Sequence, residues 1–248
     1  MKVITARPIL MSAPMVQALL EERKTQTRRI IKPQPTGEPR PLHEWSASLA
    51  RACHDHSPDA DKLRVHVERL KGRIFPFSDP RGGLYSPTCP FGRPGDILWV
   101  RENWRVGKQW DTTRPRDLPP RHLTVMFAAG GSVANQGSGR YELDESYPDT
   151  LPDWAGKLRP GMFLPRWASR LTLRITEVRI ERLQDISNED AEAEGVRCDH
   201  SSWSFRDHYC ELWDRINGQC SWSLNEWVWA LTFRVEKRNV DDVLREAA

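Results

Sequence analysis

Long apolar runs are missing from this chain. No stretch approaches the roughly 18 residues that a membrane-spanning helix needs, so an integral helical membrane protein is excluded. The opening MKVITARPIL lacks the apolar core of a secretory signal. Cysteine is scarce: five residues, an odd number and widely scattered, which argues against the disulfide framework of a small secreted fold. A cytoplasmic protein is therefore expected. Neither GxGxxG nor a P-loop is present, which removes the glycine-cradled phosphate sites of dinucleotide and NTP binding. Cys53, His54 and His56 in one segment and Cys198 and His200 in another make no complete zinc set, so neither a metal nor a cofactor is expected. Internal repeats are absent as well.

Lysine is the remaining scarcity, 8 residues against 29 arginines within a net charge of only +3. Arginine offers a planar, permanently charged fork for phosphate and stacks on bases, so the skew leans toward nucleic-acid or nucleotide partners; a bias toward arginine codons explains it equally well. The local distribution is sharper. Residues 1–40 hold eight basic side chains against three acidic ones, a surplus larger than that of the whole chain.

A length of 248 residues suits one elaborated domain with a sizeable core. Its first 33 residues read as strand, helix, strand. Val3 to Leu10 is apolar-rich, Ser12 and Pro14 open a helix carrying Met15, Val16, Leu19 and Leu20, and Thr25 to Lys32 alternates with period two before Pro33 and Pro35. Residues 34–90 are Pro-rich and polar, with a short helical fragment at Glu44 to Ala52, and read as an insertion. A Pro94-Gly95 turn feeds a strand from Ile97 to about Val106. Residues 111–157 form a second insertion with a strand at Leu123 to Ala128 and a GGSVANQGSG stretch that reads as mobile.

Between Ser169 and Leu183 the apolar parity slips, from Leu171, Leu173 and Ile175 to Val178 and Ile180. A bulge or sharp bend near Thr176 and Glu177 keeps both sets on the core face. Ser187 then caps a short helix ending at Gly195, and a second helix from about Phe205 stops at Asn217-Gly218. Trp227 to Val235 alternates as a last strand, and residues 236–248 follow as a tail.

The densest cationic segment, Glu22 to Arg29, lies at a helix-to-strand junction. Five basic residues and no acid fall between Arg23 and Lys32, with two threonine hydroxyls among them. The pattern suits an anionic ligand, or a threonine activated by a neighbouring amine; a solvated turn and a charge-protected edge strand give the alternative. In WVRENW, Arg101 shares a face with Trp99 and lies beside Glu102, so a guanidinium and an indole stand together. Arg166 and Arg170 flank Trp167 in the same way, and structural ion pairing explains both groups equally. Of eleven tryptophans, Trp213, Trp227 and Trp229 follow core patterns, which leaves Trp99, Trp104 and Trp167 as stacking candidates.

Four blocks, RPILMSAPMVQALLEERKTQTRR, GRPGDILWVRENW, LPRWASRLTLRITEVRIERLQDISNEDAEAEG, and LWDRINGQCSW with WVWALTFRV, occur in that order. Together they resemble the ASC-1 homology (ASCH) family, and more narrowly its longer phage and prophage members labelled morphogenetic proteins. The resemblance implies an α+β, PUA-like fold: a small curved β-barrel with flanking helices, here a single domain carrying the two insertions, and a cleft for RNA or a modified nucleoside or nucleotide. It also implies an amidohydrolase site for N4-acylated cytidine, with Lys24 as base, Thr27 as nucleophile and Glu194 as carboxylate partner. Arg28, Arg29, Trp99, Arg101, Glu102, Arg166 and Trp167 are then candidates for substrate binding. A non-catalytic RNA-binding or phage-assembly protein is the alternative the same resemblance allows.

Overall fold

The structure is a computed structural model, and it describes residues 4–35, 77–78, 84–85, 88–119, 121–136, 139–142, 151–198 and 202–246. In chain order the elements are β1 (Ala6–Leu10), α1 (Ala13–Leu20), β2 (Gln26–Ile30), β3 (Phe77–Ser78), β4 (Leu84–Tyr85), β5 (Ile97–Arg101), β6 (Trp104–Arg105), β7 (Leu123–Phe127), β8 (Ser132–Gln136), β9 (Gly139–Glu142), β10 (Thr172–Arg182), α2 (Asn188–Ala193), α3 (Phe205–Asn217), β11 (Trp227–Glu236) and α4 (Val240–Glu246). The class is α+β. Cys53, His54, His56, His200 and the fragment Glu44 to Ala52 lie outside the described residues.

The principal sheet has the order β1-β5-β10-β11-β2, with β1 and β5 parallel and the other pairs antiparallel. β10 carries the bend. Its register against β11 shifts between Ile175 and Glu177, and the apolar parity changes where the sequence demands it. Leu171, Leu173 and Ile175 pack with Val16 and Leu19 of α1, whereas Val178 and Ile180 also reach the Trp227 and Trp229 indoles. The sheet is open among the described residues, since β1 and β2 are its two edges, and no closed barrel forms there.

α2 and α3 cover the opposite face, where Tyr209 and Trp213 pack on Leu183, Ile186 and Val228. The C-terminal tail is largely helical: Val240 and Val243 of α4 pack against Ile97 and Trp99.

The predicted strand from Ile97 to Val106 divides in two. Glu102 and Asn103 leave the ladder, Glu102 to pair with Arg170 and Asn103 to accept a hydrogen bond from the Gly161 backbone at 2.9 Å. β6 then opens a second sheet, β6-β7-β8-β9, over a core of Trp104, Leu123, Val125, Phe127 and Val133. The stretch read as mobile supplies β8 and the first residue of β9; Val133 and Ala134 are buried, and Gly130 and Gly131 turn the chain from β7 into β8 at positive φ, 96° and 76°. No helix among the described residues is long and apolar enough to cross a membrane.

Candidate active site

α1 ends in a turn through Glu22, at φ 61°, which sends the chain into β2 with Lys24 pointing inward. Among the described residues β2 is an edge strand, paired with β11. Beside it the end of α2 approaches closely: Thr25 N donates to the Ala193 carbonyl at 2.8 Å, and Lys24 and Glu194 form an isolated bridge. Ser187 Oγ accepts from Asp190 N and caps α2 as the sequence anticipates.

Gly195 makes that approach feasible. It sits at φ +85°, and a Cβ there would lie 2.8 Å from the Ala18 Cβ and 2.9 Å from the Lys24 Cβ. Gly195→Ala should therefore cost about 2–4 kcal/mol through left-handed strain and overpacking. The check is urea unfolding, where the midpoint should fall without a change in slope.

Lys24 is fully buried, and its Nζ donates to Glu194 Oε2 at 2.6 Å and to the Glu194 carbonyl at 2.8 Å. Burial pushes the ammonium below its ordinary 10.5, against the Glu194 carboxylate, which holds it up. The other Glu194 oxygen, Oε1, accepts from Arg28 Nη1 and from the Tyr209 hydroxyl, each at 3.3 Å. Burial and the adjacent Glu194 raise Tyr209 well above its ordinary 10, so it stands as a neutral phenol.

A cleft of about 240 Å³ opens between the free edge of β2, α1 and α3. Thr27, Arg28, Arg29, Glu194, Tyr209 and Trp213 are among its walls. Thr27 is 1% exposed, and its Oγ1 has no hydrogen-bond partner among the described residues. A buried hydroxyl without a partner costs free energy that a ligand can recover. Lys24 stands behind the cleft and meets it through Glu194, and no hydrogen bond joins Lys24 Nζ to Thr27 Oγ1.

Arg28 and Arg29 differ sharply despite being neighbours. Arg28 is buried at 2% and clamped by three carboxylates, Glu181 at 2.7 Å, Asp190 at 2.8 Å and Glu194 at 3.3 Å, so its guanidinium is already committed to the fold. Arg29 is half-buried and donates to the Leu10 carbonyl at 2.8 Å, with no carboxylate at ion-pair distance among the described residues. Arg29 is thus a cation this wall of the cleft can offer to a ligand, as is the exposed Lys32 beyond the end of β2.

The remaining predicted binding residues lie elsewhere. Trp99 is 4% exposed, covered by α4 and flanked by the Arg101 and Arg166 guanidiniums at 4.4 and 5.9 Å from its ring centre. Arg101 donates to the Met162 carbonyl at 2.8 Å, and Arg166 pairs with Asp241 at 2.9 Å. Glu102 forms a two-pronged pair with Arg170 at 2.8 and 2.9 Å, and Trp167 packs on the core of the second sheet. None of these five lines the cleft. They tie the second sheet, α4 and β5 together, and the ion-pairing alternative describes them. Trp104 is fully buried, so it offers no stacking face.

Two contributors went unread in the sequence, Tyr209 and Asp190. Tyr209 sits on the apolar stripe of α3, where it is indistinguishable from core; only its hydroxyl contact to Glu194 separates it. Asp190 looked like a first-turn helix residue, yet it receives Gln26, Arg28 and Arg179 at 2.7 to 2.8 Å. No group of three or more His, Cys, Asp or Glu that could hold a metal occurs among the described residues.

No protein-family model, curated protein or solved structure matches this chain. The functional reading therefore rests on the cleft itself and on the sequence blocks that resemble ASCH proteins.

Proposed function

We propose that this chain recognises a modified cytidine or the RNA that contains it, and hydrolyses an acyl group from the base N4 position. The observation that carries the reading is the buried Thr27 hydroxyl, without a hydrogen-bond partner among the described residues, in a cleft whose wall includes Glu194, the carboxylate that grips buried Lys24 at 2.6 Å. The mixed five-strand sheet, bulged in β10 and with α1 on one face, supports the relationship to PUA-like ASCH proteins, as do the four sequence blocks.

In the proposed reaction the neutral Lys24 amine takes the Thr27 hydroxyl proton as Oγ1 attacks the acyl carbon. The bond from that carbon to N4 then breaks, and the Lys24 ammonium returns its proton to the departing amine. The products of this half are the free cytosine amino group and an acyl ester on Thr27. Water hydrolyses the ester to release the carboxylic acid and regenerate the hydroxyl. Burial favours the neutral amine by lowering the Lys24 pKa, and Glu194 fixes where its nitrogen points. The step requires Lys24 Nζ within reach of Thr27 Oγ1 once substrate is bound. Arg29 is placed to meet a carbonyl or phosphate oxygen of the ligand.

One observation favours non-catalytic recognition instead: among the described residues both hydrogen bonds of Lys24 Nζ go to Glu194 and none goes to Thr27. The deciding experiment is product formation by purified protein on N4-acetylcytidine, followed by chromatography. Cytidine and acetate in equal amounts support hydrolysis. Measurable binding with no turnover on any N4-acylated cytosine removes it and leaves the binding protein.

A further inference from the structure

Across α3 from the cleft lies a second depression, of about 530 Å³ against the cleft's 240 Å³. One helix serves both. Tyr209, Leu212 and Ile216 face the cleft, while His208, Leu212 and Arg215 face the groove, each set spaced by threes and fours. Leu212 is the ridge they share. The far wall holds Arg23 and Arg197, and the chain steps directly from there to the site, since Arg23 precedes Lys24 and Gly195 follows Glu194.

The groove's charge is not fully neutralised from within. Arg23 and Arg197 share a single carboxylate, Glu21, at 2.6 and 3.0 Å. Arg215 pairs with Glu211 at 2.7 Å across one exposed helical turn, an arrangement that water and salt weaken readily. Each guanidinium has five N–H donors, and the Glu211 bond occupies only one of Arg215's. An aromatic platform adjoins the groove through His208. Trp203 is 44% exposed, and its ring lies 5.3 Å from that of His208, a groove residue.

We propose that this groove holds the sugar-phosphate backbone of a single-stranded RNA whose modified base occupies the cleft. Arg23, Arg197 and Arg215 contact phosphates, and Trp203 stacks a flanking base. An exposed indole adjoining a groove with arginines set on two walls suits a strand, because stacking accepts any base and the cations follow the backbone. The inference rests on reading the cleft as a cytidine site, and it makes the substrate a polymer rather than a free nucleoside.

The test uses a fluorescein-labelled RNA about ten nucleotides long carrying one central N4-acetylcytidine, with binding measured by anisotropy between about 50 and 200 mM salt. Arg197→Gln combined with Arg215→Gln should weaken binding and flatten the salt slope by about 1 to 1.5 units, since each lost single-strand phosphate contact removes about 0.7. Trp203→Ala should weaken binding by about fivefold or more. All three positions are exposed and outside the Lys24, Thr27 and Glu194 site, so turnover of free N4-acetylcytidine should stay at the wild-type level. RNA binding that depends on these residues supports the inference even where the wild type hydrolyses nothing, an outcome that defeats only the hydrolase reading. Wild-type affinity and slope in both variants, or no RNA binding by the wild type at about 50 mM salt, overturns it even where the free nucleoside is hydrolysed.

Discussion

Thr27→Val protein should fold as the wild type does and lose hydrolysis of N4-acetylcytidine by about a thousandfold or more. The two halves of that expectation come from one atom. Thr27 Oγ1 makes no hydrogen bond among the described residues, so replacing it with a methyl group of similar size removes no contact and relieves a buried oxygen of its unmet demand. The proposed reaction, by contrast, needs that oxygen to form a bond, which no neighbouring group can replace. Thermal unfolding and steady-state turnover on the same preparation separate the outcomes. A variant that retains turnover ends the nucleophile assignment, and one that unfolds shows the hydroxyl to be structural.

Lys24→Met should lose as much, and the double variant little more, because groups that act in one step lose rate non-additively. Lys24→Arg should also fail, since a guanidinium stays protonated and cannot serve as a base. Wild-type activity should rise with pH as the Lys24 ammonium loses its proton, below the ordinary lysine value of 10.5 because burial lowers it. Stability should move in the same direction. A lysine with a depressed folded pKa binds fewer protons folded than unfolded, so stability climbs as pH rises between the folded value and 10.5, and levels above it. Lys24→Met should remove that climb.

What the sequence made legible was everything encoded in local periodicity. The parity slip after Ile175 located the bulge, Ser187 and Gly195 bracketed the short helix that ends in Glu194, and the alternating apolar run from Trp227 reported a strand packed on one face. The second sheet was hidden for a related reason. β8 and β9 are short, glycine-flanked and paired mainly within their own sheet, so their apolar residues are too few to set a visible period. Long-range electrostatics was less legible still. Side by side, Arg28 and Arg29 look alike; what divides them is Glu181, Asp190 and Glu194, more than 150 positions away. The same limit explains why Trp99 and Arg101 looked like a stacking site. Their mutual contact was readable from strand parity, while the α4 cover over Trp99 comes from the end of the chain.

Arg28→Met should destabilise the fold itself by about 3 kcal/mol. The guanidinium is fully buried and holds Glu181, Asp190 and Glu194, so its loss leaves three carboxylates gathered between β10 and α2 with only Arg179 on the first two and Lys24 on the third as cations among the described residues. Removing one member of a buried ionic network typically costs 3–5 kcal/mol. The low end applies because Glu181 and Asp190 retain some solvent, with side chains 17% and 23% exposed. Acid provides a second reading of the same clamp. Desolvation acts to raise Asp190, but the Gln26 amide and the Arg28 and Arg179 guanidiniums outweigh it and hold the carboxyl below its ordinary 3.8. A carboxyl with a depressed folded pKa adds stability above its unfolded value and loses it as pH falls through the folded one. Wild-type protein should therefore weaken as pH drops below about 4, and Arg28→Met should show a shallower acid decline from a lower plateau. Equal unfolding midpoints for the two proteins at neutral pH would show that the Arg28 clamp does not hold the fold. Denaturant unfolding at neutral pH and again at acid pH makes the comparison, and the hydrolysis rate of folded Arg28→Met then reports how far Glu194 depends on the clamp to keep Lys24 in place.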